Sequence, residues 1–152
     1  RDYTASYQIE REKGQFFALF FMTSNSLGFE KILEVKWTLD EEDGNGFWLA
    51  KDSLQTSLFG DFFAELKRRE HGDRLRSLLI DYLKDSHDNG DVYKFVLKNG
   101  YLCKHANEVL KQLQDEGRIE VSMIASGQLA RKGSFYLKYD AVTSPKVRFI
   151  LK

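Results

Sequence analysis

The sequence is poor in the residues that staple or anchor a chain. Its one cysteine, Cys103, excludes an internal disulfide, and with it a disulfide-rich secreted scaffold. The longest unbroken apolar run, Phe16 to Met22, is far short of the roughly 20 residues that a membrane-spanning helix needs. Net charge is absent too, since 23 basic residues balance 23 acidic ones, which argues against a polybasic tail or a uniformly acidic mimic. No internal repeat and no low-complexity segment occurs. The chain opens on Arg1 with no visible signal peptide, and the expectation is a cytoplasmic piece of something longer. What is abundant is ring surface, 12 Phe, 7 Tyr and 2 Trp, too much for a mainly disordered chain of 152 residues.

The balanced total hides an asymmetry. Residues 98–152 hold ten basic and five acidic groups, whereas residues 1–97 hold 13 basic and 18 acidic ones. A basic C-terminal third is a hint of a surface that meets a polyanion; chance is the alternative.

Periodicity organises the chain. Gln15–Thr23 (QFFALFFMT) is short, apolar and turn-flanked, and reads as a buried strand. Phe16, Phe17, Phe20 and Phe21 put aromatics on both of its faces, implying cover on both sides. A helix is expected over 27–39, capped by Ser24 or Asn25, with Phe29, Ile32, Leu33 and Lys36-Trp37 on its 3.6-residue period. Asp40–Gly46 is an acidic loop, and Phe47-Trp48-Leu49 is too short to assign. A helix over 58–69 carries the stripe Phe59, Phe62, Phe63 and Leu66, read as core with partner docking as the alternative, and His71-Gly72 is expected to break it.

The pattern then sharpens. Asp73 is expected to cap a helix to about Lys84, with Leu75, Leu78, Leu79, Tyr82 and Leu83 as its core stripe. A short helix runs from Asp91 to about Lys98 with Val92, Phe95 and Val96 inward, stopped by Asn99-Gly100. A further helix runs from about Lys104 to Asp115 with Ala106, Val109, Leu110 and Leu113 inward. Strands are expected over 118–124, 135–139 and 146–151, with a loop from Ser126 to Ser134 carrying Arg131-Lys132. Helix, short helix, tight turn, helix, then a hairpin with a basic tip is the order of a winged helix-turn-helix. The fold class is therefore α+β. Residues 1–50 form a strand-helix segment, 51–70 a connecting helix, and 71–152 the winged helix-turn-helix domain.

The stretch VYKFVLKNGYLCKHANEVLKQLQDEGRIEV (92–121), followed by ARKGSFYLKY (130–139), resembles the C-terminal part of the three-Cys-motif partner (TcmP) proteins. FALFFMTSNSLGFEKILEVKW (17–37) resembles the strand and helix upstream in those proteins. The resemblance implies bacterial or phage origin and a longer parent whose N-terminal part is Rossmann-type and methyltransferase-like. This chain has no glycine-rich strand-to-helix turn of the kind that binds S-adenosylmethionine. On that resemblance, residues 1–50 are the last strand and helix of the larger domain.

In a winged helix-turn-helix the second helix of the motif enters the major groove. Its outward residues here are Lys104, His105, Asn107, Glu108, Lys111 and Gln112. Lys104 and Lys111 suit phosphates. Asn107 has the donor–acceptor pair that matches adenine, and Glu108 opposes the backbone unless it meets a cytosine amine. Arg131 and Lys132, in a glycine-containing loop, suit phosphate or minor-groove contact, the alternative being a solvated hairpin tip with gatekeeper charges. The nucleic-acid-binding set is Lys104, His105, Asn107, Lys111, Arg131 and Lys132, and the expected partner is duplex DNA. The competing reading is an interaction module that docks an enzyme-like domain or a partner protein.

Other chemistry is weakly supported. Glu41, Asp43, Asn45, Gly46 and Asp52 approach the spacing of a calcium loop but depart from it at both ends, so a solvated acidic loop is the expectation. Cys103 and His105, with His71 and His87 elsewhere, do not supply a zinc ligand set. Nor does Cys103 have the orienting group of a nucleophile, and it is expected as a small buried residue. No catalytic residue, metal or cofactor is assigned to this chain.

Overall fold

A computed structural model describes residues 2–47 and 59–152. These divide into two compact units, one ending at His71 and one running from Gly72 to Lys152.

The first unit begins with two antiparallel strands, β1 (Tyr3–Glu12) and β2 (Gln15–Thr23). Gly14, at φ 83°, takes the left-handed turn between them, and its N–H donates to Glu10 Oε1 at 3.0 Å. Strand β1 is an element that the expected strand-helix segment lacks, and its polar residues alternate with apolar ones. That alternation is its signal, since Tyr3 and Tyr7 are buried on one face while Thr4 and Gln8 are exposed on the other. Helix α1 (Ser26–Leu39) follows, capped by Asn25, whose Oδ1 accepts from the N–H groups of Leu27 and Gly28. It buries Phe29, Leu33 and Trp37, and the Phe29 ring lies 5.1 Å from that of Tyr3.

The acidic loop is more ordered than a solvated loop. Asp40 is buried and accepts from the N–H groups of Asp43, Asn45 and Gly46. These bonds set the chain into β3 (Gly46–Phe47), parallel to β1 with Gly46 beside Gln8. Asp43 Oδ1 lies 2.9 Å from His71 Nε2, whose ring meets Trp37 edge-on. Asp52, Trp48 and Leu49 fall outside the described residues. Among the described residues no three His, Cys, Asp or Glu side chains converge as metal ligands.

Two expectations of burial are overturned here. On β2, Phe16, Phe17, Leu19, Phe20 and Met22 are all exposed, Phe20 to 74%. The strand lies at the edge of its sheet, in the order β2-β1-β3, so neither face of it has a neighbouring strand's side chains beyond those of β1. The stripe Phe59, Phe62, Phe63 and Leu66 is exposed as well, so helical spacing there does not mark a core.

Helix α2 (Gly60–Tyr82) is a third correction, because it continues through His71-Gly72 without a break and Asp73 caps nothing. A glycine inside a helix costs about 1 kcal/mol. Burial of Leu75, Leu79 and Leu83 at four-residue spacing offsets that, and Glu65 pairs with Arg68 and Arg69 across one turn.

In the second unit, the short strand β4 (His87–Asp88) leads into α3 (Asn89–Lys98), which Asp88 caps through the N–H groups of Gly90 and Asp91. Val92, Tyr93, Val96 and Leu97 are buried, and Phe95 stacks on Tyr82 with ring centroids 3.9 Å apart. Burial, with Asp91 and Asp88 nearby, pushes the Tyr82 phenol above its ordinary range. Gly100, at φ 81°, ends α3, and the Tyr101 N–H returns to the Val96 carbonyl at 3.1 Å. Tyr101 and Leu102 plug the turn, and α4 (Cys103–Asp115) buries Ala106, Val109, Leu110 and Leu113.

Strands β5 (Ile119–Met123) and β6 (Val147–Leu151) then pair antiparallel, and β4 joins the other edge of β6. The order is β4-β6-β5. Residues 135–139, expected as a strand, follow an irregular path. Phe135 and Leu137 are buried, Tyr136 is left-handed at φ 51°, and a 3-10 turn follows at Tyr139–Val142. Backbone bonds to β5 are made instead by residues 128–130, through Met123 N to Gln128 O and Ala130 N to Val121 O. The tip of that hairpin is therefore the neutral Ile124–Gly127, and Arg131-Lys132 lie beyond its returning arm. The expectation of a basic tip is corrected accordingly. The architecture is α+β, with an N-terminal strand-helix segment followed by a winged helix-turn-helix.

Candidate nucleic-acid interface

The amphipathic spacing of α4 leaves one clean solvent face. Lys104, Lys111 and Asp115 sit at i, i+7 and i+11, which superposes them on a single line along the helix, and all three are exposed. Asn107, Glu108 and Gln112 flank that line and are also exposed. From Lys104 to Asp115 the line rises about 16 Å.

His105 differs from its neighbours. It is half-buried, its ring meets Tyr101 edge-on, and its Nδ1 accepts the Leu102 N–H at 3.2 Å. Leu102 has no side chain able to cap the helix, so His105 folds back to satisfy that amide. Cys103, expected to be buried, is part-exposed as the first residue of α4. Burial raises the neighbouring Tyr101 phenol, with Arg74 opposing the shift.

The segment carrying Arg131 and Lys132 is docked on the far end of the same helix. The Gly133 N–H donates to Gln114 Oε1 at 2.9 Å, and Lys132 Nζ lies 2.6 Å from Asp115 Oδ1. Both cations are exposed. The line Lys104, Lys111, Asp115 is thus extended by Lys132, with Arg131 adjacent in sequence.

The acids of this region are largely occupied. Besides Asp115, Glu116 pairs with Arg76, Glu120 with Lys152 and Asp140 with Lys138. Among the described residues, Lys104, Lys111 and Arg131 enter no ion pair. Exposed pairs such as Lys132–Asp115 are worth little in water and are readily exchanged for phosphate.

Sequence reasoning missed the residue that organises the polar interior of the unit. Asn89 is fully buried. Its Nδ2 donates to the Tyr136 carbonyl at 2.8 Å, and its Oδ1 accepts from the N–H groups of Lys146 and Val147 at 2.9 and 3.3 Å. Next to it, a Cβ on Gly90 would lie 2.3 Å from the Ala141 carbonyl oxygen, so only glycine fits there. Nothing in the local pattern signals either role, because the partners lie about 50 residues downstream.

No helix among the described residues is long and apolar enough to cross a membrane. Neither the curated proteins nor the solved structures give a match to this chain. A family model described as the GMT-like wHTH domain matches residues 50–125, half of the chain, taking in α2, α3, α4 and β5. Winged helices of this kind are in general nucleic-acid-binding and non-catalytic. On that match, and with α2, α3 and α4 followed by the sheet β4-β6-β5, the chain belongs to the GMT-like wHTH domain family.

Proposed function

We propose that this chain is a non-catalytic nucleic-acid-binding module and that its ligand is duplex DNA, held along the outward face of α4. The observation that carries the reading is the placement of Lys104 and Lys111 on one exposed line of α4 that Lys132 extends through Asp115, with the exposed Arg131 next to Lys132 in sequence. Lys104, Lys111, Arg131 and Lys132 meet phosphates, Asn107 reads a base edge, and His105 stands at the start of the same helix. Glu108 disfavours close backbone approach at mid-helix, so the phosphates are met at the two ends of the line. The proposal extends to the setting implied by the TcmP resemblance, a cytoplasmic bacterial or phage parent with a methyltransferase-like N-terminal part.

The test is a salt titration of binding to duplex DNA, single-stranded DNA and RNA by fluorescence polarisation. Each phosphate contact contributes about 0.9 to the slope of log affinity against log salt. Lys104→Ala with Lys111→Ala, and separately Arg131→Ala with Lys132→Ala, are each expected to lower that slope by about 2 on duplex. Wild-type affinity and slope in both double variants would refute the reading.

A second reading, a module that docks an enzyme-like domain, is favoured by β2. An edge strand with Phe16, Phe20 and Met22 exposed on the face away from Tyr3 and Tyr7 is unusual for a finished surface. Its test is co-purification of this chain with the N-terminal part of the parent, supplied as a separate polypeptide, against a Phe16→Ser, Phe20→Ser variant.

A further inference from the structure

We infer that Tyr136 and Lys146 form a second nucleic-acid contact, outside α4, in which a phenol hydroxyl and an ammonium take a backbone phosphate together. The inference rests on the nucleic-acid reading above and adds a site to it.

Tyr136 is the one non-glycine residue with positive φ among the described residues. A bulky side chain disfavours that region, and a turn needing nothing but the backbone shape would carry glycine or asparagine. The strain persists because the surroundings impose it. Phe135 and Leu137 are buried on either side, while Tyr136 between them is 40% exposed. Such strain, held at an exposed aromatic by an over-determined backbone, is a feature that structural economy alone does not call for.

The device that holds it is the buried Asn89. One end of its amide takes the Tyr136 carbonyl and the other takes the Lys146 N–H, so a single rigid point at the start of α3 fixes both backbones. Their side chains meet in solvent, with Lys146 Nζ 5.5 Å from the Tyr136 ring centroid, within cation–π reach. Lys146 is not in an ion pair among the described residues. Two residues along, the exposed Arg148 shares its side of β6, opposite to the buried Val147 and Phe149. The ammonium and the guanidinium offer only donors and the phenol hydroxyl can donate alongside them, and the phosphodiester backbone is the acceptor they suit.

The experiment measures binding of a fluorescein-labelled duplex across a salt series, with urea unfolding of every variant followed by hydrogen exchange in α3 and α4. Tyr136→Asn puts a side chain that tolerates the left-handed region at the strained position. It is expected to weaken binding about tenfold, to leave the salt slope unchanged and to keep the urea midpoint at or above wild type. Lys146→Ala is expected to lower the slope by about 0.9. If both variants bind as wild type while Lys104→Ala, Lys111→Ala is weakened, the pair is not a contact and the α4 reading stands alone. If Tyr136→Asn loses stability and affinity together while Lys146→Ala binds normally, Tyr136 is structural and the inference falls. If the wild-type chain binds neither duplex, single strand nor RNA, this inference and the α4 reading fall together.

Discussion

Replacing Asn89 by alanine removes the centre of the second unit's polar architecture without touching its apolar core. Three hydrogen bonds are lost, two of them at 2.8 and 2.9 Å and one longer at 3.3 Å. Each contributes about 1 kcal/mol net, and a buried group left unsatisfied costs about 1–3 kcal/mol. The Val147 N–H is fully buried and has no route to water, whereas Lys146 is exposed and its amide can be solvated. Releasing the Tyr136 carbonyl returns part of the strain at that residue, about 1 kcal/mol. The balance is a loss of about 3 kcal/mol, a large share of what a unit this size possesses. Tryptophan emission does not report it, since Trp37 and Trp48 both precede Gly72. Hydrogen exchange of α3 and α4 does, and protection there should fall by about two orders of magnitude. Asn99→Ala is the control: it deletes one exposed bond, to the Phe95 carbonyl, and should cost under about 1 kcal/mol. Equal protection in the two variants, or a loss below about 0.5 kcal/mol in Asn89→Ala, would refute the reasoning.

Gly90→Ala should destabilise the second unit by about 1–3 kcal/mol in urea, against the usual helix gain, because the new Cβ meets the Ala141 carbonyl. Asp115→Asn should tighten duplex binding and steepen its salt dependence by freeing Lys132, measured by polarisation; unchanged affinity would place Lys132 off the interface. Phe20→Ser should leave the thermal midpoint of the first unit nearly unchanged, whereas Phe29→Ala should cost about 3–5 kcal/mol, since one ring is exposed and the other buried.

Local chemistry was readable wherever a side chain's partner lies within one or two turns. Asn25 caps α1 through amides two and three residues on, and Ala106, Val109, Leu110 and Leu113 form the buried stripe of α4 that a period of 3.6 requires. Features set by distant pairing were not readable. The returning arm at 128–130 and the strand β6 both pair with β5, and no local period says which of the available segments wins. His71-Gly72 looked like a stop because glycine is a poor helix former, yet burial of Leu75 and Leu79 on the next turns overrides a penalty of about 1 kcal/mol. The phenylalanines of β2 and of the start of α2 mislead for a related reason, because spacing records which residues share a face and not what covers it. At the candidate interface, the outward residues of α4 were legible from the helix period. The docking of Arg131-Lys132 at its C-terminal end was not, since it depends on Gln114 reaching across to Gly133.

The Asn89 clamp also partitions where this chain can tolerate a change of length. Residues 136, 146 and 147 are tied to one fixed amide, so adding or deleting a residue between them would drag the tethered positions out of register. The turn at Ala125 and Ser126 is exposed and bears no such tie, which makes it the natural place for homologous chains to differ in loop size and for an experimenter to splice in an epitope or a fluorophore.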